Sequence, residues 1–296
     1  MLIPEFLNDV LFKIVFGNPE NAEILRDLIN SVLEFEGDHQ IQSLEILSPV
    51  LEKENLLDKG CVLDLFCRDG LGRSFNVEVQ VQSQEQYHRR SFYYAAKAYV
   101  EQLKAGEPYS NLEGVYSLTF CDFLMFKSHS DVHSRFSLYD TCHHLELTGT
   151  AELHFFEMRK LSNDLASRAN RWLHVLKFGS RYDVGNLPGE LQQEEAIAMA
   201  LQARNRALSD EQQRLLILSR EKFERDQISR QQEAEARGRQ EGRLEGRQEG
   251  RQEGRQEQKF EVARNLLALG LDVEVISAGT GLSVEEIAEL TRQITG

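Results

Sequence analysis

The stretch "LDLFCRDGLGRSFNVEVQ", Leu63 to Gln80, holds two short alternating runs joined by a glycine-flanked turn, and it restricts the fold more than any other part of the chain. In "SFNVEVQV", Phe75, Val77, Val79 and Val81 share one parity while Ser74, Asn76, Glu78 and Gln80 share the other, the pattern of a strand with one apolar face. The preceding "CVLDLFC" alternates as well, with Val62, Asp64 and Phe66 on one side. A loop of Gly70, Leu71 and Gly72 supplies glycine for a left-handed position and sets Asp64 directly opposite Glu78. Opposed residues point to the same face with Cβ atoms about 4.5–5.5 Å apart, so like charges there repel. A divalent cation compensates such a pair, since Mg2+ is commonly held by one or two carboxylates. The alternative is an ordinary exposed strand face on which water screens the charges, and one more loop residue would abolish the register.

The chain has 296 residues, 41% of them hydrophobic, enough for one large domain with an appendage or for two domains. No run approaches the roughly 18 apolar residues of a membrane helix, and the opening "MLIPEFLNDVLFKIVFG" is acidic and amphipathic rather than a basic, cleavable signal. The expectation is therefore no membrane partner and a cytoplasmic location. Cys61, Cys67, Cys121 and Cys142 stand in strand-like runs without C-x-x-C spacing and read as reduced core residues. A net charge of −14 argues against a strongly basic nucleic-acid coat. The charge is uneven: residues 159–181 hold 6 Lys and Arg against 1 Asp, whereas residues 1–158 hold 12 against 25 acids. In that basic island Arg168, Arg171 and Lys177, around Trp172, are candidates for DNA phosphates, with a solvated helix face as the alternative.

Along the chain, residues 4–16 and 19–34 read as amphipathic helices, and strand-like runs follow near 41–50, 61–68 and 74–82. A helix of about six turns over residues 84–106, an apolar strand at 114–126 and another strand at 151–161 complete an α/β domain over 1–189. Residues 190–258 are polar and helical and include five Gly-Arg-Gln-Glu-type tetrads from Gly238 to Glu257. Glycine at every fourth position makes that helix marginal alone, to be kept by a partner helix or by continuation of its neighbour. Residues 259–296 suggest a three-helix module with a capping box at Ser283 and Glu286. Its pattern hints at a helix-turn-helix, but Glu285, Glu286 and Glu289 on the would-be reading helix favour a small interaction module.

Four blocks in order, "NDVLFKIVFG", "LDLFCRDGLGRSFNVEVQ", "HRRSFYYAAKAYVEQLKAGEPYSNLEGVYSLTF" and "HFFEMRKL", resemble the bacterial recombination-promoting nuclease and transposase-like family of the PD-(D/E)XK nuclease superfamily, over roughly residues 5–180. The resemblance implies a restriction-endonuclease-like α/β core, a mixed central sheet flanked by helices, followed by a long helical C-terminal extension. It implies Mg2+ or another divalent cation held by Asp64, Glu78 and the Val79 carbonyl, with Asp9 as a further acidic residue. Gln80 stands where the superfamily pattern has lysine; an amide offers hydrogen bonds but no proton to exchange near neutral pH. Lys13, one turn after Asp9 on the same helix face, is an accessory candidate to stand in for it. The implied activity is a metal-dependent DNA endonuclease linked to recombination or transposition. The alternative is a catalytically weak or inactive DNA-binding or protein-interaction module on the same fold. The implied partners are DNA and a second copy of the chain, joined through the C-terminal helices. The pair His129 and His133 lacks a third ligand, and no phosphate loop, dinucleotide fingerprint or nucleophile elbow is present.

Overall fold

The computed structural model describes residues 5–47, 50–51, 61–62, 64–83 and 86–295. The parts of the expected strands 41–50 and 61–68 that fall on residues 48–49 and 63 lie outside that set. Two compact units divide at Arg225 and Asp226.

In the first unit the alternation of "SFNVEVQ" yields a strand, and so do its neighbours. β1 is Leu44–Leu47, β4 Leu65–Asp69, β5 Ser74–Gln80, β6 Val115–Cys121, β7 His133–Phe136 and β10 Ala151–Glu157. They form one mixed sheet in the order β1-β4-β5-β6-β10-β7. β4 is antiparallel to β1 and β5, β5 and β10 run parallel to β6, and β7 closes the far edge antiparallel to β10. Two small ribbons stand apart, β2 Val50–Leu51 with β3 Cys61–Val62, and β8 Tyr139–Asp140 with β9 Leu145–Glu146. This is the mixed sheet flanked by helices that the sequence implies, a restriction-endonuclease-like arrangement.

The sheet's two faces are covered differently. On one, Phe75, Val77, Val79, Leu118 and Phe120 pack into the main core with α1 Asp9–Phe16, α2 Ala22–Val32, α4 Arg168–Phe178 and α6 Glu195–Ser209. On the other, α3 Tyr87–Val100 lays Ala95 and Ala98 on Phe66 and Val115. That second face is polar where α3 begins, and Asn76, Glu78, Ser117 and Thr119 are all buried there. Cys67 and Cys121 are buried free thiols as expected, but Cys142 is exposed, because the turn between β8 and β9 covers no core.

The expected boundary at 189 does not coincide with the compact unit, which continues to Arg225. After α5, Gly189–Gln192, the helix α6 buries Ile197, Ala200 and Leu201 in the main core, and Ile217 follows from α7, Glu211–Ala268. The 58 residues of α7 run unbroken through the tetrads, so continuation of the helix on both sides carries the glycines. From Gly238 to Gly254 each tetrad glycine faces open space.

The second unit, Asp226–Gly296, has its own small core of Ala263, Ile276, Leu282, Ile287 and Leu290, contributed by the end of α7, by α8 Val273–Thr280 and by α9 Val284–Thr295. The expected capping box is formed: the Ser283 N–H donates to Glu286 at 2.7 Å and the Glu286 N–H to Ser283 Oγ at 3.2 Å. Among the described residues no helix is long and apolar enough to cross a membrane.

Each large aliphatic side chain removed from a core forfeits about 1.5–3 kcal/mol, against total stabilities of about 5–15 kcal/mol. A fragment 1–189 loses Leu191, Ile197, Leu201 and Ile217 together and is expected to be unfolded or aggregated, whereas 1–225 melts cooperatively; circular dichroism melts of the two fragments check this.

Candidate active site

The hairpin of β4 and β5 has the register that the three-residue loop requires. Leu65 pairs with Val77, Phe66 with Asn76 and Cys67 with Phe75, which continues to Asp64 opposite Glu78 at the open end. At the closed end Asp69 accepts the N–H groups of Leu71 and Arg73 and the Arg73 guanidinium at 2.7 Å, with Gly72 at φ +86°.

Glu78 is buried, its carboxylate accepting a hydrogen bond from the Tyr87 hydroxyl at 2.6 Å and one from the Asn76 amide at 3.0 Å. Burial pushes its pKa above the ordinary carboxylate value, the Tyr87 and Asn76 hydrogen bonds pull it back, and the Asp64 charge adds to the rise. Asp64 accepts the Val79 N–H at 3.3 Å and holds the Lys13 ammonium at 2.7 Å. Lys13, one turn after Asp9, thus reaches Asp64, and its ammonium rests on that carboxylate.

Asp9 does not join this pair. The Arg220 guanidinium from α7 reaches it at 2.9 Å and also binds Glu224 at 3.1 Å. Burial raises Glu224 to about 7, Arg220 opposing and Asp9 reinforcing the shift. A cleft of about 350 Å³ opens where β5 and β6 end, lined by Asn8, Val81, Asp122, Lys177, Glu221 and Glu224. Gln80, the last residue of β5, is half-buried beside it, and its carbonyl accepts the Asp122 N–H at 2.9 Å.

The donor set fits a hard divalent cation: two opposed carboxylates, with the Val79 main-chain oxygen next to Glu78, are oxygen ligands of the kind Mg2+ takes. Among the described residues no group of three His, Cys, Asp or Glu side chains is arranged to hold a metal.

The basic island is differently employed. Arg168 bridges Asp27 at 2.7 Å and Glu194 at 3.1 Å, and the nearly buried Arg171 binds Glu194 at 2.7 Å and the carbonyls of Leu165 and Ala166. Lys177 donates to the Met158 carbonyl at the wall of the cleft. Of the three, Lys177 alone lines the cleft. His133 pairs with His154 at 2.9 Å at the β7 edge and His129 with Ser134 at 3.1 Å, both elsewhere on the sheet. Sequence reasoning missed Tyr87, Arg220 and Glu224; the only sign of Tyr87 was a tyrosine opening a helix after the hairpin, and Arg220 gave none.

Residues 6–234 match the family model of the PD-(D/E)XK nuclease family transposases. Residues 256–292 match that of the Rpn/YhgA-like nuclease family, C-terminal HTH domain, which supports the helix-turn-helix hint in the last three helices. No curated protein and no solved structure matches the chain.

The raised pKa of Glu78 has a thermodynamic consequence. Its folded state prefers the proton, so the associated stability is fully present below the ordinary value of 4.5 and is lost as pH rises through the raised one. In EDTA, Glu78→Gln is expected to melt progressively higher than the wild type as pH is raised from 4.5 to neutrality; parallel melting curves against pH would mean that Glu78 titrates alike in both states.

Proposed function

The chain belongs to the PD-(D/E)XK nuclease family transposases, and from that premise we propose that it is a divalent-cation-dependent DNA endonuclease, serving recombination or the movement of DNA elements. The observation that carries the reading is the register that sets Asp64 against the buried Glu78 with the Lys13 ammonium 2.7 Å from Asp64. Asp64, Glu78 and the Val79 carbonyl would hold Mg2+ or a similar ion. When bound, such an ion supplies Lewis acidity toward water and phosphate oxygens.

The chain's own groups do the rest. Tyr87 and Asn76 fix the Glu78 carboxylate so that it need not reorganise. Lys13, with a metal on Asp64, would be free to donate to a phosphate oxygen and to take the position-holding part of the absent lysine. Gln80 can orient a water by hydrogen bonds but cannot deprotonate it. Asp9, held by Arg220, would contribute negative charge near Glu224 rather than a metal ligand. Lys177 is the member of the basic island best placed for a phosphate, while Arg168 and Arg171 must first leave buried or half-buried carboxylates to serve there.

A second reading keeps the fold and drops turnover, and the observation in its favour is Gln80 itself. The C-terminal module, acidic on α9 at Glu285, Glu286 and Glu289, is proposed to contact DNA only weakly and to favour a protein partner. Self-association through the extension is proposed from the part of α7 beyond Arg225, where Leu244 is exposed and the glycine stripe is open to the close approach of a second helix.

Purified protein is expected to nick supercoiled plasmid in Mg2+ and not in EDTA, with Asp64→Ala reducing the rate by at least about 10²–10³-fold; equal nicking in EDTA, or by the variant, would falsify the metal mechanism. Light scattering at micromolar concentration is expected to give a dimer for the full chain and a monomer for 1–225, and a monomeric full chain removes the self-association proposal.

A further inference from the structure

α3 has the sequence YHRRSFYYAAKAYV, with three Lys and Arg, one His and no carboxylate, in a chain whose net charge is −14. Its inner side, Tyr87, Ser91, Ala95 and Ala98, follows the helical repeat and covers the sheet. Its outer side leaves Phe92 52% and Tyr93 45% exposed. One turn earlier on that side His88 and Arg89 are exposed too. Arg89 donates to the Gln86 side chain at 3.2 Å and forms no ion pair among the described residues. Arg90, on the flank, lies over the Tyr87 ring with its guanidinium carbon 4.6 Å from the centroid.

The position matters as much as the composition. Tyr87 opens α3 and its hydroxyl is on Glu78, so the helix that carries the basic first turn starts at a candidate metal ligand. Fold stability does not call for two aromatic rings facing water there. α4, the other helix rich in cations, has its two arginines committed to Glu194 and Asp27.

An aromatic pair flanked by guanidinium groups, without acids, is suited to single-stranded nucleic acid: rings stack bases irrespective of sequence, and arginine meets the phosphate between them. We propose that the outer ridge of α3 grips an unpaired stretch of DNA beside the site, with bases stacked on Phe92 and Tyr93 and a phosphate on Arg89. The proposal rests on the nuclease reading and adds to it the form of DNA that is held. A dry protein partner would use the same rings but would leave the arginine charge without a counterpart, whereas a polyanion satisfies both.

The test is fluorescence anisotropy of a labelled oligothymidylate with the full chain, in EDTA so that nothing is cut, over a series of salt concentrations. Phe92→Ala with Tyr93→Ala is expected to weaken binding at least about tenfold, the loss of one or two stacked bases, with the salt slope unchanged. Arg89→Ala is expected to reduce the slope by about 0.7, one phosphate on a single strand. Circular dichroism of each variant should match the wild type, since exposed positions rarely shift stability by more than about 0.5 kcal/mol. Equal affinities of wild type and double variant, no oligonucleotide binding by the wild type, or a loss that accompanies dissociation of a protein dimer would each overturn the proposal. Plasmid cleavage in Mg2+ on the same preparations separates the two readings. Cleavage with equal oligonucleotide affinities rejects the ridge alone, and ridge-dependent binding without cleavage rejects the nuclease alone.

Discussion

The candidate site depends on which residue of β4 stands opposite which residue of β5. Strand side chains alternate, so a slip of one position would turn Glu78 from the polar face under α3 to the apolar face under α1 and α2. The hairpin resists that slip at its closed end, where Asp69 gathers two backbone N–H groups and the Arg73 guanidinium. Arg73 continues to the His39 carbonyl at 2.8 Å and lies over the Phe35 ring at 4.9 Å. Both members of the pair are buried, and removing one partner of a buried pair costs about 3–5 kcal/mol because the other charge is stranded. A structural ion pair at one end of the hairpin thereby determines the placing of the two carboxylates at the other.

Holding Glu78 out of water is unfavourable, and the sheet is built to tolerate it. Asn76, Ser117 and Thr119 are buried polar groups on the same face, and from α3 Ser91 meets Ser117 at 3.2 Å while the Tyr87 hydroxyl meets Glu78 at 2.6 Å and Thr119 at 3.4 Å. These polar atoms forgo hydrophobic packing for a fixed carboxylate orientation. Asn76 Oδ1 and Ser74 Oγ are buried without a hydrogen-bond partner among the described residues, a further sign that polar groups are concentrated here beyond what packing alone would select. Asp64, nearer the surface, pairs with Lys13, so the two carboxylates are placed asymmetrically: one desolvated and steered by dipoles, the other beside an ammonium.

Local features were legible in the sequence and long-range ones were not. The hairpin register followed from strand parity and one loop length, and the capping box at Ser283 from a four-residue pattern, because each is decided within a few residues. Lys13 could be placed on the face of Asp9 by helical spacing, although its partner proved to be Asp64. By contrast, the Arg220 to Asp9 bridge spans 211 positions, and the burial of Arg171 by Glu194 spans 23. Neither leaves a periodicity to detect. The boundary at 189 was drawn where composition turns polar, but α6 needs only one buried stripe of Ile197, Ala200 and Leu201 to belong to the core, and its exposed side dominates composition. The partners of Arg168 and Arg171 were hidden for the same reason, since a run of cations is as readily the counterpart of distant carboxylates as of phosphate.

Charge supply therefore limits what this fold can do. The chain carries 34 Lys and Arg against 48 Asp and Glu, and the structural carboxylates take much of the cationic stock, Asp69 through Arg73, Glu194 through Arg168 and Arg171, Glu157 through Lys160, Asp9 through Arg220. Acid-rich surroundings repel a polyanion over roughly the 8–10 Å that salt leaves unscreened. A protein so constituted can approach a phosphodiester only where positive charge is concentrated locally or drawn in from solution. In the proposed reading two carboxylates opposed across a hairpin would draw it in as a divalent ion, and a helix without acids would concentrate it on the same side of the sheet. The acidic composition, which at first argues against nucleic acid, is compatible with it once both sources of charge lie on one face of one sheet.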